Sequence, residues 1–142
     1  MSPEGPALRP LARSLLEAEG EVRGEPAIAA AMAEEVFRKL RDRLVKLVGA
    51  LGFEALLRRA LKLAKIEAPL LAPVDVARNG DLAGLAQALV GRSAAESIEA
   101  SACLLAHFLE LLATFIGADL TVRLATGIRR LGGESARGSE GK

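Results

Sequence analysis

Residues 93–131 read SAAESIEASACLLAHFLELLATFIGADLTVRLATGIRRL. The stretch opens on Ser93-Ala-Ala-Glu96, a capping box. The Ser side chain can accept from the backbone of Glu96, and the Glu can reach back to the backbone of Ser93. That pairing fixes where a helix starts. Behind it comes the longest apolar run in the chain, which holds the only His and the only Cys. At about 100° per residue, Glu96, Glu99, Cys103, His107, Glu110, Thr114, Gly117 and Thr121 fall on one narrow strip. Leu104, Leu105, Phe108, Leu111, Leu112, Phe115 and Ile116 cover most of the remaining surface. A helix apolar over so wide an arc sits at the centre of a bundle and shows one edge to water.

Beyond Gly117 the pattern turns over. Asp119, Arg123, Thr126 and Arg130 lie roughly opposite the first strip, and Leu120, Leu124, Ile128 and Leu131 take the inward side. The switch predicts one of two things. Gly117 kinks or breaks the helix, or one continuous helix leaves its first partners and packs against something else. In the continuous case Leu120, Leu124, Ile128 and Leu131 would be an exposed apolar stripe, which calls for burial by association.

The rest of the chain reads as helices arranged around this one. Met1–Pro6 reads as a flexible N-terminus, residues 7–131 as the helical domain, and residues 132–142, rich in Gly and charge, as a disordered tail. Leu8, Leu11, Ala12, Leu15 and Leu16 predict a short first helix ending before Gly20, with a polar linker over Gly20–Gly24. Pro26 suits a first helical position. From it Ile28, Met32, Val36, Leu40, Leu44, Leu47, Val48 and Leu51 step by three or four, with Gly52 as the natural stop. Phe53, Leu56, Leu57, Ala60, Leu61 and Ala64 form the stripe of a third helix. So short a connection implies an antiparallel helical hairpin or one bent helix. Residues 67–81 form an unusually apolar connection, with room for a brief extended segment at Val74–Val76 and a turn at Asn79-Gly80. Asp81 reads as the N-cap of a short fourth helix ending at Gly91. The fold class is therefore all-α, a single-domain bundle of four to five helices, with the long helix over roughly 93–131 at its centre.

Composition agrees and narrows the function. Of 142 residues, 51% are hydrophobic and 26% charged, a balance that suits one soluble domain able to bury its own core. With no Trp, no Tyr and four Phe, little is left for stacking sugars or bases. One Cys rules out an intramolecular disulfide and suits a reducing, cytoplasmic setting. No signal peptide is visible at the N-terminus. Ala100–Ala118 has the length of a membrane span, but His107 and Glu110 near its middle favour a buried bundle helix. Net charge is +1 yet unevenly spread: −4 over residues 1–37, +7 over 38–65 and −2 over 66–142. The basic hairpin, with Arg38, Lys39, Arg41, Arg43, Lys46, Arg58, Arg59, Lys62 and Lys65, has the charge to meet an anionic surface. No nucleic-acid-binding motif accompanies it, so nucleic acid is not an expected partner.

The polar strip invites three chemical readings. Cys103, His107 and Glu110, at i, i+4 and i+7, put three metal-ligand types on one face, but no second His or Cys exists to complete a set. Neither a metal nor any other cofactor is expected on that count. A Cys103–His107 nucleophile pair lacks a marked oxyanion pocket, so no catalytic residue is assigned and the chain is not expected to be an enzyme. Lastly, Ala106-His107-Phe108-Leu109, followed by Ile116-Gly117-Ala118, resembles the motif around the phosphorylated His of histidine-phosphotransfer domains. Those are cytoplasmic four-helix bundles in which an exposed mid-helix His takes phosphate from a receiver Asp. Glu110 and Leu111 stand where that motif carries Lys and Gly. The resemblance implies His107 as phosphoacceptor, exposed on the helix edge. The leading expectation is instead a small cytoplasmic protein–protein interaction module, an adaptor or regulatory subunit. It would form a homo-oligomer, a dimer, through Leu120, Leu124, Ile128 and Leu131, with the phosphotransfer-like signalling bundle as the alternative.

Overall fold

The capping box at Ser93 forms as its residues dictate. Glu96 N donates to Ser93 Oγ at 3.1 Å and Ser93 N donates to Glu96 Oε1 at 3.2 Å. The computed structural model describes residues 4–23, 29–77 and 80–128. In chain order these form α1 (Glu4–Arg23), α2 (Ala29–Glu67), a 3-10 turn (Pro69–Leu71), β1 (Asp75–Val76), β2 (Leu82–Ala83), α3 (Leu85–Leu89), α4 (Ala94–Ile116) and α5 (118–128). The architecture is an all-α bundle, with one two-stranded antiparallel hairpin pairing Asp75 with Ala83 and Val76 with Leu82.

The helix begun at Ser93 does break at Gly117, where φ is 98° and ψ 147°. α2 breaks the same way at Gly49, where φ is 80° and ψ 163°. Backbone in that region is open almost only to glycine, so each residue marks a corner that another side chain would strain. The corner at Gly49 is sharp. Phe37 and Phe53 are sixteen residues apart, which a straight helix would turn into about 24 Å. Their ring centroids instead lie 5.5 and 5.4 Å from that of Phe108, one on each side. The two halves of α2 therefore fold back on each other, the hairpin expected from the sequence. It turns three residues earlier than Gly52, which stays helical.

α4 runs through the middle of this arrangement. Every residue from Ala100 to Ala106 is buried, as are Phe108, Leu109 and Leu112. Leu40, Leu44, Leu57 and Ala60 of α2 close one side, and Ala12, Leu15 and Leu16 of α1 close another. α4 is long and apolar enough to cross a membrane, and its burial between α1 and α2 accounts for that character. Because Cys103 Sγ touches Glu67 at the last residue of α2 while Phe108 meets Phe53 further back along it, α4 runs antiparallel to the second half of α2. Past Phe108 it heads toward the Gly49 corner, so both glycine corners lie at one end of the bundle.

Several local expectations are corrected. α1 does not stop before Gly20 but continues to Arg23, absorbing most of the supposed linker, and it begins at Glu4. Asp81 is no N-cap: its carbonyl accepts from Ala77 N at 2.7 Å, Leu82 belongs to β2, and Gly84 precedes α3 as its cap. The apolar connection packs down as expected, burying Leu71, Val74, Val76 and Leu82 over the core. Leu47 and Leu51, expected in the α2 stripe, are 54% and 81% exposed because the corner carries them past the core. Pro26, Ile28, Asn79, Leu131 and the tail over 132–142 lie outside the described residues.

Candidate functional site

Two places stand out, one against the middle of α4 and one at its C-terminal end. The first is polar. Glu67 ends α2, where the helix dipole disfavours an anion, and it is held there by three neighbours from two other helices. Its Oε1 accepts from Cys103 Sγ at 3.0 Å and from Arg9 Nη2 at 3.0 Å. His107 Nε2 lies 3.5 Å from the same oxygen, close enough for a charge contact but outside hydrogen-bond geometry. That nitrogen is buried with no hydrogen-bond partner. Glu99, one turn before Cys103 on α4, pairs with Arg9 at 3.4 Å and with Arg13.

The contacts explain the electrostatics. The hydrogen bond from Cys103 and the nearby His107 and Arg9 hold the Glu67 carboxyl below its ordinary range, against the opposing effect of burial. Burial first, and the Glu67 carboxylate second, push the Cys103 thiol up to about 12. The thiol so placed donates to Glu67, and its shift is opposite in direction to the lowered pKa of catalytic cysteines. A groove of about 420 Å³ opens beside the cluster, lined by Arg9, Glu67, Leu70, Glu99, Ala100 and Cys103 among others.

The polar strip read from the sequence is therefore real; it faces water at Glu96, Glu99 and Thr114 but is covered at Cys103 and His107. α1 lies over it, and its two arginines answer the carboxylates. The full exposure expected of His107 is not what the fold gives: its side chain is 17% exposed and its Nε2 points to Glu67. Glu110, the third residue of the metal set suggested by spacing, is replaced in that role by Glu67. A carboxylate at a helix C-terminus, where the dipole opposes it, was the signal that could have found Glu67 beforehand.

The second place is apolar. Among the described residues, eight large hydrophobic side chains are exposed: Val45, Leu47, Leu51, Ile66, Val90, Phe115, Leu120 and Val122. All but Ile66 and Val90 lie within five residues of Gly49 or Gly117, so they share the end of the bundle that carries both corners. Phe115 is 67% exposed and Leu51 81%. The expected stripe fits this surface only in part. Leu120 is 39% exposed, Leu124 is half-buried against the core, and Ile128 is buried at 3%. α5 turns Thr121, Ala125 and Ile128 inward and lays Gly127 beside the Arg43 guanidinium. Of the four residues placed inward by the wheel beyond Gly117, Ile128 is buried, Leu124 half-buried and Leu120 exposed, because Thr121 and Ala125 also turn inward past the corner.

The basic hairpin is partly neutralised. Arg38 pairs with Glu35 and with Asp42, and Arg58 pairs with Glu54 at 3.5 Å. Comparison with protein-family models, curated proteins and solved structures gave no match. Fold and sites together define a class, a small all-α bundle with a polar cluster against the middle of α4 and an apolar surface near the two glycine corners.

Proposed function

We propose that the protein is a small cytoplasmic protein–protein interaction module, an adaptor or regulatory subunit, that self-associates through the apolar end built around Gly49 and Gly117. One observation carries the reading: six of the eight exposed large hydrophobic side chains gather there. Contiguous exposed apolar surface on a soluble bundle marks a place where another surface docks. The charges around it favour a second copy over a membrane or nucleic acid. Both signs are present there, with Arg43 and Lys46 following Asp42 in the chain and Arg123 paired with Asp119 at 3.5 Å, and a two-fold contact can set opposite signs against each other. A lipid or nucleic-acid surface would call for one sign.

Light scattering on the purified chain tests this. The unaltered protein is expected to be a dimer at micromolar concentration. Leu51→Glu and Phe115→Glu are expected to give monomers with unchanged circular dichroism, since both side chains are mostly exposed and such substitutions cost about 0.5 kcal/mol or less. Val90→Glu, at a position 78% exposed elsewhere, serves as the control and leaves the dimer intact. A monomeric unaltered chain would sink the reading.

A further inference from the structure

We infer that Cys103, His107 and Glu67 form a binding site for a zinc-type divalent cation, with its fourth coordination position facing the groove beside Arg9 and Glu99. The chain contains one Cys and one His. The fold sets both on the same face of α4, one turn apart, and brings a carboxylate to them from the end of α2. The three ligand atoms lie within 4.8 Å of one another, with Glu67 Oε1 at 3.0 Å from Cys103 Sγ and 3.5 Å from His107 Nε2. Tetrahedral zinc, at about 2.0–2.3 Å from its ligands, sets neighbouring ligand atoms about 3.3–3.6 Å apart. The cluster is thus close to ligating geometry before any side chain moves. A thiolate, an imidazole and a carboxylate are a mixed set that suits zinc and disfavours magnesium and calcium, which prefer oxygen alone.

A second observation points the same way. His107 Nε2 is buried with no hydrogen-bond partner and faces the other two ligands. Burying an imidazole nitrogen without a partner costs free energy, and a metal bond at that atom removes the cost. The balance of the binding step is simple. The cation takes the place of the Cys103 thiol proton, which leaves to solvent, and accepts lone pairs from Sγ, Nε2 and Oε1. The +2 charge then meets one thiolate and one carboxylate. Arg9, which now divides itself between Glu67 and Glu99, shifts to Glu99, and water from the groove fills the fourth position. The site is remote from the apolar end and stands independently of the self-association reading.

The test uses the full, tag-free chain with Zn²⁺ alone, and with Co²⁺ as a spectroscopic replacement. Competition against a chromophoric chelator is expected to give one Zn²⁺ per chain. Saturation with Co²⁺ is expected to produce tetrahedral d–d absorption together with a thiolate-to-cobalt charge-transfer band. That band can arise only from Cys103, the one cysteine. Cys103→Ser should abolish the band, and His107→Gln should weaken Zn²⁺ binding at least about tenfold. Absence of the charge-transfer band in the unaltered chain at saturating Co²⁺ overturns the proposal without reliance on any variant. So does Zn²⁺ affinity that is unchanged in both variants.

Discussion

Glu34 shows how one side chain reports on its surroundings. It lines a cavity of about 340 Å³ with Glu35, Arg38, Arg41 and Asp81. Partial desolvation at that wall, and then the charge of Asp81, raise the carboxyl of this otherwise exposed residue above the ordinary value. The folded protein therefore holds the Glu34 proton more tightly than the unfolded chain does. Its contribution to stability is present below the ordinary carboxylate value and is lost as pH rises through the raised one. Glu34→Gln should remove that slope. Urea midpoints measured across the mildly acidic range should fall with rising pH for the unaltered chain relative to the variant, and parallel curves would show the shift to be absent. Residue-scale features differ in how legible they were. The capping box could be read directly because its partners are three residues apart. The fate of His107 could not, because what covers it arrives from α1 and from Glu67, and nothing local to α4 announces either.

At the scale of elements, the two corners decide the architecture. Gly49 and Gly117 adopt nearly the same backbone, and a Cβ built at either would meet nothing within 4 Å. Substitution there tests backbone conformation alone, free of crowding. Gly49→Ala and Gly117→Ala should each cost about 1–3 kcal/mol, measured by denaturant unfolding, while the same change at Gly127, which is helical and where an added Cβ meets Arg43 only at 3.6 Å, should cost less. Equal losses at the three positions would show that the corners carry no special strain. Helix existence was readable from periodicity across α2 and α4, and the break at Gly117 was signalled by the switch in polar side. The corner lies at Gly49 and not at Gly52: spacing cannot distinguish two nearby glycines, and only the positive φ of Gly49 beside the helical backbone of Gly52 does so. The end of α1 was misjudged for a related reason. Gly20 weakens a helix without obliging it to stop.

Taken whole, the molecule sets a polar cluster against the middle of α4 and an apolar surface at its C-terminal end, and the bundle class was legible from composition and stripes. What sequence left out was the juxtaposition. Arg9 and Glu99 are 90 residues apart in the chain, so their meeting belongs to tertiary structure. That separation bears on the order of assembly. The α2 hairpin closes locally through a single residue, whereas docking α1 on α4 must close most of the chain, and long closures come late and at an entropic cost. The arginines that fasten α1 are partly exposed, with 31% and 42% of their side chains open to solvent, so salt weakens their hold. α1 should therefore be the first unit to detach. Native-state hydrogen exchange should show its amides opening at lower free energy than those of α4, with the gap widening as salt is added; α1 and α4 exchanging as one would contradict it. The helix that shields His107 and Cys103 would then also be the door through which solvent reaches them.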